Sequence, residues 1–287
     1  MTKILGISGR KQSGKNTTCN FLYGMEMISL KMIEKFQMGD NGNLVVPSLI
    51  VEKGEEKIVW GEFDVTRIDD EFVGWAIDQL WPFIKDYSFA DVLKRNVCID
   101  ILGLTHEQCY GTDQEKNTET HIHWRDLPTP NKNLKSKKMT AREVMQYVGT
   151  DFFRRIYPDV WADCGIKMAL SHGSQLAIFT DVRFPNEVEA IQKNGGKVIR
   201  LTRVKSPEDK HESELALEKE NYDWNNFDLV INNENLAVKD TNKIVYDALA
   251  EWGWVERDFV VNNVDIPKPM KVPAPTAQDG YVARARK

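Results

Sequence analysis

The stretch ISGRKQSGKNTTCNF, residues 7–21, places the strongest constraint on the fold. Gly9, Gly14 and Lys15 have the spacing of a phosphate-binding loop, although Asn16 stands where that loop normally carries Ser or Thr. A short apolar run precedes the loop, and apolar residues at spacings of three and four follow it, which predicts a strand, a loop and a helix. Backbone N–H groups and a helix N-terminus can then meet anionic phosphates. The stretch therefore predicts a nucleoside triphosphate site, and a glycine-containing turn that matches by chance is the alternative.

The composition is that of an ordinary globular protein. The 287 residues are 41% hydrophobic and 28% charged, with a net charge of -5. This acidic balance argues against a general nucleic-acid partner. No apolar run is long enough to span a bilayer, and the N-terminus lacks a signal-peptide layout, so we expect no membrane partner. Four widely spaced cysteines without a C-x-x-C pair argue against zinc and favour the reduced thiols of a cytoplasmic protein.

Predicted strands and helices alternate along the chain. This order predicts an α/β fold, a mostly parallel sheet flanked by helices. Strands are predicted at residues 3–7, 175–180, 197–202 and 228–232, and helices at 70–84, 185–194 and 238–252. Residues 111–138 are polar and predict a long surface loop.

The predicted domain, residues 1–255, carries two additions. The first is an insertion at about 39–68, an exposed β-hairpin whose strands are predicted at 44–51 and 57–65. The second is a charged, mobile lid at about 203–221. The last residues, 256–287, are rich in proline and predict a disordered tail.

Polar residues follow the strand predicted at 175–180, where ligands bind in open α/β sheets. Asp181 could hold a metal-bound water, and Arg183 could pair with a phosphate in bidentate fashion. The alternative is an ion pair between Arg183 and Glu187 that caps the next helix.

Three other polar features have two interpretations each. Arg142 begins a helical face that continues to Gly149 and Thr150, and this face is either a ligand site or simply solvated. Trp161 could stack on a base or pack in the core. Arg203 in the predicted lid could close over phosphates, since phosphoryl transfer requires that water be excluded, or it could belong to a solvated loop.

Six motifs occur in an order that is more specific than the loop alone. They are Gly9-x-x-x-Ser13-Gly14-Lys15-Asn16-Thr17, Phe89-Ala90-Asp91-x-x-Lys94, Tyr110-Gly111-Thr112-Asp113, Arg142-x-x-x-Gln146-x-x-Gly149-Thr150-Asp151, Asp159-Val160-Trp161 and Asp181-x-Arg183-x-x-Asn186-Glu187. As a set they resemble the bacteriophage deoxynucleoside monophosphate kinase family over residues 2–252. In that family Asp is common after the loop lysine, so Asn16 departs from it by one charge while Thr17 matches.

The resemblance implies a P-loop kinase fold and ATP-dependent phosphorylation of a deoxynucleoside monophosphate in a host cytoplasm, with Mg²⁺ as cofactor and a homodimer as the common assembly. It implies substrate contacts at Lys94, Arg142, Gly149, Thr150, Trp161, Asp181, Arg183 and Glu187. The predicted ATP-binding residues are Gly9, Lys11, Ser13, Gly14, Lys15, Asn16 and Thr17, of which Asn16 and Thr17 are also the predicted metal contacts, partly through water. The predicted catalytic residues are Lys15, Arg142, Arg183 and Arg203.

Two alternatives remain at this point. One is a kinase with the same fold for another phosphorylated small molecule, such as phosphomevalonate. The other is a non-catalytic nucleotide-binding protein, which only Asn16 favours.

Overall fold

A computed structural model describes residues 1–52, 55–127, 137–203 and 212–255. The strands are β1 (Lys3–Ser8), β2 (Gln37–Met38), β3 (Leu44–Glu52), β4 (Glu55–Phe63), β5 (Ile84–Tyr87), β6 (Glu119–His123), β7 (Lys138–Thr140), β8 (Leu176–Val182), β9 (Lys197–Leu201) and β10 (Leu229–Ile231). The α-helices are α1 (Lys15–Ser29), α2 (Asp70–Gln79), α3 (His106–Tyr110), α4 (Asp113–Lys116), α5 (Ala141–Gln146), α6 (Arg154–Ile156), α7 (Val160–His172), α8 (Pro185–Lys193), α9 (Glu212–Leu215) and α10 (Val238–Glu251). Leu93–Ile101 and Tyr147–Phe153 are π-helical, and Trp124–Asp126 and Trp224–Asn226 are 3₁₀ turns.

The chain divides into two compact units. The loop unit comprises Met1–Asp86 and the chain from His172 onward, and the middle unit comprises Tyr87–Ser171. The predicted tail at 256–287, and residues 204–211 of the predicted lid, lie outside the described residues.

The loop unit contains the predicted parallel sheet. Its five strands lie in the order β10-β9-β1-β8-β5, and the pairs β1–β8, β1–β9 and β9–β10 are parallel. The α/β prediction is therefore confirmed. Because parallel strands end at the same edge, the residues that follow β1, β8 and β9 come together there.

Strand β1 is central because both of its faces are apolar. Ile4, Leu5 and Ile7 are fully buried, and β1 lies between β8 and β9. Burying each of these side chains contributes about 1.5–3 kcal/mol relative to exposure. Helix α1 then buries Thr18, Leu22 and other residues of its apolar face. The loop between β1 and α1 is thus anchored at both ends by core packing.

The helix predicted at 70–84 is too long, and this prediction is wrong at its C-terminal end. Asp69 caps α2 by accepting from the Phe72 N–H at 3.0 Å, but α2 stops at Gln79. Pro82 disfavours helical backbone in the residue before it and has no N–H to donate. The chain then extends into β5, which the periodicity did not reveal.

The predicted hairpin is present. β3 and β4 pair antiparallel from Leu44↔Phe63 to Glu52↔Glu55, and β2 extends them to a three-stranded sheet. Burial alternates over residues 59–63 of β4, which is typical of a strand with one exposed face.

The long loop predicted at 111–138 is wrong for its first half. Thr112 and Glu115 form a capping box that starts α4, and β6 then pairs with β7. The T-x-x-E spacing is the sequence signal for that helix. None of the helices in residues 1–52, 55–127, 137–203 and 212–255 is both long and apolar enough to cross a membrane.

Candidate functional site

The phosphate-binding loop has a backbone that only glycine can follow at Gly9. Its φ is 157°, and a Cβ there would lie 2.3 Å from Ser13 Oγ and 2.9 Å from the Leu201 carbonyl oxygen. Gly14 also has a positive φ, 105°, directly before α1. The Ser13 N–H donates to the Arg10 carbonyl at 3.1 Å. The two predicted glycines therefore serve the tight turn that their spacing indicated.

Lys15 is the central cation of this loop. It is 9% exposed, and its Nζ donates to the carbonyls of Gly9 at 2.9 Å and Arg10 at 2.8 Å. Burial lowers the pKa of Lys15 to about 7, the positive charges of Arg183 and Arg200 act in the same direction, and Asp181 opposes them. The loop is a site where cations repel one another and where an anion would relieve that repulsion.

The Glu187 carboxylate and the Arg183 guanidinium have different partners. Glu187 is 2% exposed, and its Oε2 accepts from the backbone N–H groups of Arg183 at 2.7 Å and Phe184 at 3.1 Å. Glu187 thus caps α8 by accepting from backbone N–H groups, whereas the alternative had predicted a cap formed by an ion pair with the Arg183 side chain. The Arg183 guanidinium instead pairs with Glu214 of α9.

Arg200 belongs to the site but was not predicted. It is 4% exposed, its Nη1 donates to Ser8 Oγ at 3.0 Å, and its Nη2 donates to Glu218 Oε1 at 2.6 Å. The guanidinium carbon lies 5.5 Å from the centre of the Trp224 ring. The available signal was an arginine inside the buried strand Lys197–Leu201, since a buried charge requires partners.

Among the described residues, the buried polar atoms at the loop without a hydrogen-bond partner include Ser13 Oγ and Arg200 Nε. Both are groups that can donate to an anionic oxygen. Ser13 was predicted to bind ATP, and the unpartnered hydroxyl is compatible with that prediction.

The insertion packs against the start of α1. A Cβ on Gly42, whose φ is 81°, would lie 2.1 Å from Thr17 Oγ1, and Asn20 Nδ2 donates to the Gly42 carbonyl at 3.0 Å. Of the two predicted metal contacts, Thr17 therefore faces the insertion while Asn16 is exposed. Across the described ranges, no group of three or more His, Cys, Asp or Glu side chains is arranged to hold a metal.

Replacing Gly42 by alanine is expected to lower the free energy of unfolding by about 1–3 kcal/mol, from left-handed strain and the clash with Thr17. Chemical denaturation measures this change. The matched control is alanine at the open turn Gly195, whose φ is 76° and where a Cβ would meet no atom of the described residues within 4 Å, so it carries the strain alone. Adding Thr17→Gly to the Gly42→Ala variant should reduce its loss of unfolding free energy to that of the Gly195→Ala control. If the loss is not reduced, Thr17 is not the contact.

Arg203 is held by the loop that follows β10. Its guanidinium donates to the carbonyls of Asn233, at 3.0 and 2.8 Å, and Leu236, at 2.8 Å. Asn233 is 1% exposed and donates from Nδ2 to the Ser13 carbonyl at 2.8 Å. Arg203 is thus connected to the phosphate loop through Asn233.

The middle unit brings three of the sequence motifs together. Lys94 Nζ lies 4.9 Å from the centre of the Tyr110 ring, and Tyr110 OH donates to Asp91 Oδ1 at 3.2 Å. Arg142 Nη2 donates to Asp113 Oδ1 at 2.8 Å, and Arg142 Nε donates to Asn117 at 3.1 Å. The partners of Lys94 and Arg142 thus lie in or near the motif Tyr110–Asp113. The sequence signal for these partners was that this motif lies between the motifs that contain the two cations.

Gly149, Thr150 and Trp161 are also in the middle unit. Trp161 is 5% exposed, its Nε1 donates to the Gly149 carbonyl at 3.0 Å, and its ring packs at 5.3 Å from Phe153. A Cβ on Gly149 would lie 2.6 Å from Leu93. The arrangement of Trp161 within this unit is that of a core tryptophan that fixes the backbone beside Thr150.

The sequence model of the deoxynucleotide monophosphate kinase family matches residues 3–244. The chain belongs to the deoxynucleotide monophosphate kinase family. The match confirms the predicted resemblance and identifies the chain as a kinase. A protein of Acanthamoeba polyphaga mimivirus that carries the provisional name deoxynucleotide monophosphate kinase is 31% identical over 157 residues, which are 50% of this chain and 72% of that protein. That relative comes from a giant virus, so a bacteriophage source for this kinase stays a prediction.

Proposed function

We propose that this kinase transfers the γ-phosphoryl group of ATP to the phosphate of a deoxynucleoside 5′-monophosphate. The observation that supports this most is Lys15, a buried cation inside a glycine-shaped loop at the sheet edge, with Arg183 and Arg200 near enough to lower its pKa. Charge develops on the oxygens of a phosphoryl group during transfer, and preorganised cations stabilise it.

The reaction would proceed by direct in-line displacement. An oxygen of the acceptor phosphate attacks the γ-phosphorus, the bond to the β,γ-bridging oxygen breaks, and ADP leaves with the new deoxynucleoside diphosphate as the other product. No covalent enzyme intermediate is required, because the acceptor phosphate is itself the nucleophile. Positioning and charge neutralisation would supply most of the rate enhancement.

The residues of the loop unit would have the following roles. Lys15 and the amides of the phosphate loop would hold the donor phosphates, and Ser13 Oγ would donate to one of their oxygens. Arg183 would bind the acceptor phosphate, while Glu187 keeps the Arg183 backbone in place. Arg203 and Asn233 would position the phosphate loop rather than touch the reacting atoms.

The middle unit would contribute to recognition of the acceptor. Arg142, oriented by Asp113 and Asn117, is the candidate phosphate cation, and Lys94 on Tyr110 is the second. Trp161 would act indirectly, by fixing the Gly149 carbonyl and the backbone at Thr150.

Oxygen donors at the loop fit Mg²⁺, which prefers a few carboxylate or carbonyl ligands together with substrate phosphates and water. The Asp181 carboxylate acts electrostatically on Lys15, and the exposed Asn16 follows Lys15 in the first turn of α1. These two residues would hold the ion, partly through water, and the ion would neutralise charge on the donor phosphates. The hydroxyl of Thr17 faces Gly42 and is the weaker candidate.

The proposal is tested by incubating the kinase with ATP, Mg²⁺ and each common deoxyribo- and ribonucleoside monophosphate in turn, and separating the products by anion exchange. Formation of at least one deoxynucleoside diphosphate is expected, and the relative rates give the base and sugar preference. No deoxynucleoside diphosphate from any acceptor, with ATP still bound, would contradict the proposal and favour a different phosphorylated acceptor.

A homodimer and a cytoplasmic site of action stay predictions.

The affinity for ATP is expected to fall as the pH rises from 7 to 9. Lys15 loses its proton above its pKa of about 7 in the protein without nucleotide, whereas a bound triphosphate favours the ammonium, so binding takes up a proton. One proton taken up raises the Kd about tenfold per pH unit.

Calorimetry at pH 7, 8 and 9 in two buffers with different heats of ionisation gives both the Kd and the number of protons taken up. Lys15→Arg, which stays charged throughout this range, should give a flatter pH dependence. A Kd that is constant in the native protein, without proton uptake, would be inconsistent with a neutral Lys15 at pH 9.

A further inference from the structure

Two glutamates of residues 212–218, which we call the acidic segment, lie among the cations of the phosphate loop. Glu214 Oε2 accepts from the backbone N–H of Lys11 at 3.1 Å, and the same carboxylate pairs with Arg183. Glu218 Oε1 lies 2.6 Å from Arg200 Nη2 and 3.8 Å from Arg10 Nε. The side chain of Glu214 is 7% exposed, so this carboxylate is enclosed by the loop rather than lying in solvent.

The partners of Glu214 are groups that suit a phosphoryl group. A loop amide and a guanidinium are the two kinds of donor that bind phosphate oxygens, and a carboxylate presents similar anionic oxygens to them. A carboxylate and a phosphoryl group cannot both occupy the same donors. The negative charge of Glu214 would also repel a triphosphate a few ångströms away.

The acidic segment is held at its C-terminal end and carries Glu214 at its N-terminal end. Leu217 is 2% exposed, and its carbonyl accepts from Trp224 Nε1 at 2.9 Å. Helix α9, which carries Glu214, has only four residues. A displacement of α9 could therefore withdraw Glu214 while Leu217 stays in the core.

We propose that Glu214 is an internal competitor of the nucleotide phosphates: it occupies the Lys11 amide and Arg183 in the protein without nucleotide and leaves when phosphates bind. This inference rests on the proposed function, in that phosphates bind at this loop. Its consequence is a built-in reduction of affinity, because only the fraction of molecules with Glu214 withdrawn is competent to bind. Glu218 stays with Arg200 and limits how far the acidic segment moves.

The test compares Glu214→Gln with Glu212→Gln. Glutamine keeps the size of the side chain and can still accept from the Lys11 N–H, but it lacks the charge that pairs with Arg183. Glu212 is exposed and lies in the same helix, so its variant makes the same change in net charge away from the loop. Binding is measured by calorimetry with two probes, ATP and inorganic tripolyphosphate.

Glu214→Gln is expected to lower the Kd of both probes about three- to tenfold, while Glu212→Gln changes it less than twofold. An unchanged or higher Kd in Glu214→Gln would overturn the inference, as would the same decrease in both variants. If neither probe binds the native protein, there is no phosphate for Glu214 to compete with, and the inference fails.

A measurement on the native protein guards against a variant that does not fold. Backbone hydrogen exchange at Ala216, whose N–H donates to the Glu212 carbonyl of α9 at 2.8 Å, should become faster when tripolyphosphate is added at saturation, because α9 is displaced. Unchanged or slower exchange, with binding established, would overturn the inference. Faster exchange without any phosphorylation of deoxynucleotides would support the role of Glu214 and refute the proposed reaction. Phosphorylation of deoxynucleotides with no effect of Glu214→Gln on the Kd would support the reaction and refute the role of Glu214.

Discussion

Lys15→Met is expected to lower kcat/KM for diphosphate formation about a thousandfold, about 4 kcal/mol of transition-state stabilisation. The ammonium of Lys15 is held by the carbonyls of Gly9 and Arg10 inside the loop, so its position is set before the substrate binds. Methionine is similar in length and apolar, so it can fill the buried volume. The loss should appear mainly in kcat, because the charge on the phosphoryl oxygens grows between the bound substrate and the transition state.

Steady-state kinetics with ATP and the best acceptor from the substrate panel measure this effect. Lys239→Met, which removes one exposed lysine from α10, controls for net charge and should leave kcat/KM within a factor of two. Circular dichroism and the denaturation midpoint establish that Lys15→Met is folded. A folded Lys15→Met that keeps a tenth or more of the activity would remove Lys15 from the catalytic residues.

Arg183→Met is expected to lower kcat/KM for the acceptor about a hundredfold or more, with a smaller change in the KM for ATP. The guanidinium can bind a phosphate with two parallel hydrogen bonds, and such charged pairs are among the strongest polar contacts in proteins. Its backbone is held by Glu187 irrespective of the side chain, so the loop after β8 should keep its conformation in the variant.

Arg183→Lys is the informative comparison, since it keeps the charge but not the bidentate geometry, and we expect it to lose about tenfold. Both variants are measured at saturating ATP with the acceptor varied, and Lys239→Met again serves as the charge control. If Arg183→Lys and Arg183→Met have equal activities, the positive charge of the side chain at this position does not by itself contribute to kcat/KM. A defect confined to the KM for ATP would instead assign Arg183 to the donor.

Structural features that depend on short stretches of sequence were predictable. The loop glycines, the alternation of strands and helices, and the hairpin of the insertion each depend on residues within about ten positions, which is the range over which turn chemistry and periodicity act. Strand β5 escaped this reasoning because its four residues follow α2 after a turn, in an apolar stretch where helix and strand patterns look alike. The short helix α4 was predictable from its capping box, but the polar composition around it favoured a loop.

The sequence by itself determined the phosphate loop, the α/β order and, through the ordered motifs, the kinase family. The tertiary structure decided which charges meet at the loop. Arg200 reaches Ser8 across 192 positions, and the Lys11 amide meets Glu214 across 203. These contacts depend on the strand order β10-β9-β1-β8-β5, which brings distant strand ends to one edge. A buried charge is stable only beside a partner, and the partner is set by that order rather than by any local pattern.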